Sequence, residues 1–417
     1  MRFNAAWSMA VGGMIGGGIF SVLGVVTSVA GPLFPLSFVM GGLIALATAW
    51  SYAALARAMG EGGGAFTFLR HERLPRAAAA LSWVLILGYT LTMAVYAFTF
   101  SAYLSEGLGL GRGLTSAVAI AIVATLVGIN LAGVRQAASV EIVSVYAKVL
   151  ILLTLGIVGV VHWDVGALSR GVSTSGGLIG AVVGASAVFM AYEGFQLLTY
   201  DYDDIEDPDR NLTRVLLTAV GAVILVYVVV SLGAVMLTGA GTIVQHKEVA
   251  LAIAGGRAAG SAGKWTVTVA AALSTASAIN ATLFATARLT RRVADAGELP
   301  RILGARNRRG MPHTAVILLG GIAAALAVLA GLSRLVEAAS LTFLLTFAMV
   351  AAIAWKELPM GRWVSGAGAL GSLGAACVLA VRMALNDPWT LAALAVVTAS
   401  AVLLRPLVVR RSGSATS

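Results

Sequence analysis

Apolar runs about the length of a membrane crossing follow one another from the first residues to the last, with polar residues gathered between them. A helix of about 20 apolar residues crosses a hydrocarbon core of roughly 30 Å. The pattern predicts twelve spans, at 5–29, 34–57, 77–105, 113–134, 139–161, 177–200, 213–238, 264–290, 313–331, 335–355, 363–384 and 388–408. No connection between them is long enough to hold a soluble domain. The first run continues past residue 25 without a small-residue cleavage site, so it is read as the first span and not as a signal peptide. The expected architecture is an all-α membrane protein.

Composition agrees, since only 11% of the 417 residues are charged, against about a quarter in soluble proteins. The formal charge of +10 could suggest a nucleic-acid partner. Its placement argues for topology instead. With the N-terminus inside, one face collects Arg2, Arg57, Arg70, Arg73, Arg76, Arg135, Arg210, Arg214 and the basic stretch 288–309. Lys356, Arg362, Arg405, Arg410 and Arg411 join them, while the other face holds Arg112, Arg170, Lys247, Arg257, Lys264, Arg334 and Arg382. This is the positive-inside pattern, which puts both termini in the cytoplasm of a cell-membrane protein.

Several other chemistries find no support. The lone Cys377 can form no internal disulfide, and the histidines at 71, 162, 246 and 313 are never paired at metal-ligand spacing. The Gly-Lys-Trp at 263–265 resembles the end of a phosphate loop, but Ala258 replaces its first glycine and Trp265 its Ser/Thr. The stretch 246–264 is expected to form a short amphipathic helix over the membrane. No nucleophile–base set is visible, so an enzyme is not expected and no cofactor is implied. Transport is the expected task.

Transporters of several folds carry inverted repeats whose helices break at matching positions. Residues 11–20, VGGMIGGGIF, place five glycines in the first span. Gly12/Gly16 and Gly13/Gly17 have the spacing of close helix packing. Three consecutive glycines go further and permit an unwound segment, tolerated in a membrane only where it lines a cavity or is buried in protein. Five spans later, Glu193-Gly194 interrupts the apolar run within FMAYEGFQLLTYDYDDIEDPDRN, residues 189–211. The two breaks match in a five-plus-five repeat, with an odd number of spans per copy making the second inverted. The acidic run 201–209 reads as a solvated turn.

Lys148 lies near the middle of the fifth span, where a lysine costs about 2.5–3.5 kcal/mol on insertion scales and must face a cavity or a partner. Its reach of roughly 6 Å is too short to snorkel to the interface. Burial can bring a lysine into proton exchange near neutral pH. Glu141, seven residues earlier, reads as interfacial. Glu193 admits three roles: proton carrier, counter-charge to a cationic substrate, or cap for N–H groups freed at the break.

These residues resemble the amino acid–polyamine–organocation (APC) superfamily. GGMIGGGIF at 12–20 is similar to its first-helix signature Gly-x-x-Ile-Gly-Ser/Ala-Gly-Ile-Phe, through Gly13, Ile15, Gly16, Gly18, Ile19 and Phe20. Gly194-Phe195 and Asp207-Pro208-Asp209-Arg210-Asn211 resemble the sixth-helix motif and the turn after it, and residues 273–303 the eighth helix with its Arg-rich exit. The resemblance implies a LeuT-type fold of two inverted five-helix repeats, 1–162 and 163–357, with broken helices 1 and 6 and two extra helices in 358–417. It further implies that a substrate carboxylate meets the backbone amides of Ile15, Gly16, Gly17, Gly18 and Ile19. The substrate amino group would meet carbonyls of Met14 and of residues 189–193, including Phe189, Tyr192 and Glu193, beside Gly194. Lys148 stands where several proton-dependent members carry a lysine in place of a sodium ion, near Ser274 and Ser277. Two positions depart from the pattern: Gln196 replaces the usual acid after Gly-Phe, and Gly17 replaces Ser or Ala.

The expected function is proton-coupled transport of amino acids by alternating access, with the substrate, protons and the lipid bilayer as partners. A carrier of organic cations or polyamines and an uncoupled exchanger of the same fold are the alternatives.

Overall fold

A computed structural model of the chain describes residues 1–60, 62–72, 75–133, 138–173 and 176–413. Arg73 and Arg135 lie outside the described residues, as do the side chains of Arg76, Arg112, Glu141, Arg405, Arg410 and Arg411. The first apolar span is divided into α1 (Phe3–Met14) and α2 (Gly18–Ala30), with residues 15–17 unwound between them. Pro35 stands in the first turn of α3 (Phe34–Met59), where its missing N–H has no intrahelical partner to lose. Gly60, in the left-handed conformation, ends that helix. A short α4 (Ala65–His71) leads into α5 (Pro75–Leu108), α6 (Arg112–Leu131) and α7 (Ala138–Val161).

The second half opens with α8 (Gly177–Val188), then two 3-10 stretches, Phe189–Tyr192 and Phe195–Asp204, on either side of Glu193 and Gly194. Pro208 starts α9 (Pro208–Thr238) directly after the acidic turn, where the Tyr202 hydroxyl donates to Asp209 at 2.6 Å. The short α10 (Ala240–Gln245) precedes α11 (Ala250–Asp295), followed by α12 (His313–Leu329), α13 (Leu332–Glu357), α14 (Arg362–Asn386) and α15 (Pro388–Gly413). Among the described residues, nine apolar stretches are long enough to cross a membrane, and His313–Leu329 and Pro388–Ser400 are shorter apolar helices.

Within the stretch 246–264 a short helix runs from Ala250 to the non-helical Ala259 and Gly260, where the chain turns into the long remainder of α11. Leu251, Ala252 and Ala254 are fully buried. Their apolar face packs on protein, while Arg257 and residues 259–262 are exposed on the outer side.

Helix packing repeats between the halves. The α7 helix packs on α9 as α13 packs on α3, α5 on α13 as α11 on α7, and α12 on α5 as α6 on α11. Between the halves, α5 runs against α11 and α1 against α9, which brings the two broken segments together at the centre.

Candidate functional site at the two helix breaks

Glycine makes the central contact possible. Gly194 has φ of 117°, a conformation that side-chain-bearing residues rarely adopt, and a Cβ built on it would lie 2.6 Å from the Gly13 carbonyl carbon. The backbones of the two interrupted helices therefore touch directly, Gly13 against Gly194. At Gly17 the constraint comes from a third helix, because a side chain there would overlap the Tyr96 ring of α5. The departure of Gly17 from the Ser/Ala pattern has this physical reason. The first N–H groups of α2 follow the break and have no intrahelical acceptors, giving it a positive dipole end suited to an anion.

The polar groups freed by unwinding are taken up by side chains from elsewhere in the chain. The Tyr227 hydroxyl of α9 lies 2.7 Å from the Met14 carbonyl and 2.8 Å from the Ala191 carbonyl, so one proton serves one carbonyl from each break. Ser274 of α11 donates to the Ile15 carbonyl at 2.7 Å. The Met190 N–H donates to Ser340 Oγ at 3.0 Å, and that hydroxyl donates to the Ala187 carbonyl at 2.8 Å.

At the second break the capping group is Gln196. Its Oε1 accepts from the Gly194 N–H at 2.8 Å, which leaves Nε2 to donate to Glu193 Oε2 at 3.0 Å and to the Tyr89 hydroxyl at 3.1 Å. Glu193, only 2% exposed, is thus held by the residue that replaces the usual family acid.

A cavity of about 50 Å3 lies where these elements meet, lined by Gly12 and Gly13 of α1, Ser144 and Lys148 of α7, Glu193 and Gly194, and Ser277 and Thr282 of α11. That is room for one or two waters. Lys148 is 5% exposed, so the helix places its cation inside the protein as its depth in the span requires.

Wider space adjoins this cavity on the side where α1 begins. A vestibule of about 550 Å3 opens on the face where α1 begins, lined by Tyr89, Tyr200, Asp201, Asp204, Arg288 and Arg292 among others. Met9, Leu197, Ser277 and Ala281 line both spaces, so the two adjoin. Towards the opposite face the path is filled. Tyr96 lies against Gly17, Ser21 Oγ is 2.8 Å from Thr99 Oγ1, and the Tyr103 hydroxyl donates to the Phe20 carbonyl at 3.2 Å. The loop residue Lys247 is packed on Gly24.

Of the residues expected at the site, Lys148, Glu193, Gly194 and Ser277 line the cavity together. Ser274 stands behind it, on the Ile15 carbonyl. Met14, Ile15 and Ile19 are fully buried, and Gly16, Gly17 and Gly18 lie in the packed break above the cavity. The side chains of Phe189 and Tyr192 turn away from it: Phe189 stacks edge-on against Phe347, and the Tyr192 hydroxyl donates to the Phe38 carbonyl at 2.7 Å. Tyr227, Tyr96 and the capping role of Gln196 are not readable from local sequence. The available signal is faint, a single tyrosine in the aliphatic run 222–230 and another at 96 in an aromatic-rich helix.

Comparison with known proteins gives the fold and the family. Among solved structures, MhsT in complex with L-phenylalanine superposes with a TM-score of 0.62 over 90% of this chain and 97% of MhsT. At 13% identity the likeness shows the fold, and that fold is the LeuT type. The inner membrane transport protein YbaT of Escherichia coli is 29% identical over 351 residues, 83% of this chain and 81% of YbaT. An uncharacterized protein of Methanocaldococcus jannaschii is 30% identical over 300 residues, 71% of this chain and 68% of its own length. The sequence pattern of the amino acid permeases matches residues 2–407, from the start of α1 into α15 and across both breaks. The chain belongs to the amino acid permease family.

Proposed function

We propose that this permease is a secondary transporter that carries an amino acid by alternating access and couples it to protons through Lys148. The observation that carries the reading is the cavity between the two breaks, where Lys148 and Glu193 meet backbone from both interrupted helices. The space adjoins a vestibule on one face, and Tyr96 and its neighbours fill the path towards the other. A carrier needs a site that is open to one side at a time.

In this reading the positive end of α2 receives the substrate carboxylate and the Met14 and Ala191 carbonyls receive its ammonium. The ammonium must then compete with the Tyr227 hydroxyl that now occupies both carbonyls. Lys148 holds or releases a proton beside Ser277 and the glycines of α1, so its charge state is linked to how the broken helix packs. The two repeats are 1–162 and 163–357, as the matched packing of their helices supports, and 358–417 adds the last two of twelve crossings. Both termini lie in the cytoplasm of a cell-membrane protein, so the vestibule faces inward.

The test is uptake of labelled amino acids into proteoliposomes, with and without an imposed proton gradient. The unaltered chain is expected to accumulate at least one amino acid faster when the gradient drives protons in the direction of uptake, and Lys148→Ala to lose that acceleration. Gradient-independent uptake by the unaltered chain would make it an uncoupled exchanger.

A second reading rests on Glu193, the one acid lining the cavity among the described residues. As a counter-charge it would select cationic substrates such as polyamines. Glu193→Gln would then abolish uptake of cations and spare neutral amino acids, whereas equal loss of both assigns the side chain to the proton path or to holding the break.

A further inference from the structure

A second and larger space lies beside the central site, on the outside of the bundle. A groove of about 940 Å3 runs between α6, α7 and α11, and it is lined by residues that meet the bilayer. Val143, Val269 and Leu273 are 69%, 49% and 61% exposed. From Trp265, a side chain suited to the membrane interface, to Asn280 it follows α11 for about 22 Å. Its outer half is apolar except for Thr266, whose hydroxyl donates back to the Ala262 carbonyl at 2.8 Å. Deeper in the membrane, Ser144 and Lys148 of α7 come together with Ser277 and Asn280 of α11.

Lys148 is the one charged residue lining this groove among the described residues. It has a partner within the fold, and its ammonium carries three donors. Ser144, Lys148 and Ser277 line the central cavity as well, so a single layer of side chains separates hydrocarbon from the transport site.

The occupant has to match an apolar trough that ends on a cation and hydroxyl and amide donors. An ordinary phospholipid tail would lay hydrocarbon over Ser144, Lys148, Ser277 and Asn280. A carboxylate in mid-membrane is costly alone and is stabilised by a charge-assisted bond to a lysine with further donors alongside. We propose that the groove is a lateral binding site for a long-chain fatty acid from the bilayer. Its carboxylate lies at Lys148, Ser144, Ser277 and Asn280, and its tail runs outward along Ile151, Val269 and Leu273. Bound there, it holds Lys148 from the lipid side and slows transport without entering the vestibule.

The test uses the full chain in phosphatidylcholine nanodiscs and a photoactivatable diazirine fatty acid, with labelled peptides mapped by mass spectrometry. Label is expected on α7 and on α11 between residues 265 and 280, and oleate should displace it at least about tenfold better than methyl oleate. Leu273→Trp, which narrows the groove at an exposed position, is expected to lose the label and keep its uptake in lipid free of fatty acid. Lys148→Gln should erase the preference for acid over ester. Equal displacement by oleate and methyl oleate in the unaltered chain would make the groove a seat for neutral tails and overturn the proposal, as would label confined to other surfaces. Because labelling is read without substrate, its outcome is separate from the amino acid reading. If oleate binds and uptake is unaffected, the slowing is overturned while the site stands.

Discussion

Gln196 holds Glu193 by a 3.0 Å hydrogen bond from the same amide that accepts from the Gly194 N–H. The Gly194 N–H freed at the second break is therefore satisfied by a neutral side chain. The same amide positions Glu193. Glu193 stands before Gly194-Phe195 and Gln196 after it, and the glutamine bridges the carboxylate to the Gly194 backbone.

Gln196→Leu is expected to destabilise the protein by about 1–3 kcal/mol, because it strands the Gly194 N–H and one Glu193 oxygen in the interior. A fall in the thermal unfolding midpoint in detergent would register it. A midpoint equal to that of the unaltered protein would mean that the second break is satisfied by other groups.

Tyr227→Phe keeps the ring and removes the proton shared by Met14 and Ala191. The two carbonyls lose their common donor while the packing is kept. The expected result is a change in KM for amino acid uptake of about tenfold, corresponding to about 1.4 kcal/mol, with gel-filtration behaviour unchanged. An unaltered KM would separate these carbonyls from the substrate.

Gly17→Ala should fail through its neighbour and not through its own backbone. The new methyl overlaps the Tyr96 ring, and overpacking of this kind costs about 1–3 kcal/mol. Combining it with Tyr96→Ala removes the obstacle. The double variant is expected to be more stable than the sum of the single effects requires, a coupling that a double-mutant cycle measures directly. Additive losses would mean that the two residues do not meet.

Arg382→Leu tests the seam between α13 and α14. Arg382 Nε lies 3.0 Å from Glu337 Oε1, and the Glu337 side chain is only 10% exposed. Removing the cation leaves a nearly buried carboxylate alone, and with the arginine itself part-exposed the loss should be about 1–3 kcal/mol. Arg334→Ala breaks a pair with Asp387 whose arginine is 64% exposed, and should cost no more than about 1 kcal/mol. Equal shifts in the two unfolding midpoints would count against burial as the cause.

The spans, the breaks and the buried cation are legible along the chain because each is enforced locally. A helix in hydrocarbon needs about 20 apolar residues, three consecutive glycines weaken a helix wherever they fall, and a lysine at mid-span is costly unless it is enclosed. Gly194 and Glu193 are conspicuous for the same reason. How the breaks are satisfied follows from contacts between distant segments, Tyr227 with Met14, Tyr96 with Gly17 and Ser274 with Ile15. A hydroxyl in an apolar run reads the same whether it bonds back to its own helix or reaches a broken one. The amphipathic look of 246–264 was equally silent about which surface its apolar face would meet. Hydrophobic pattern and glycine placement determine where apolar helices form and where the first of them unwinds. Packing between the two halves settles which side chains stand at the unwound backbone, since a hydrogen bond depends on position in space and not on distance along the sequence.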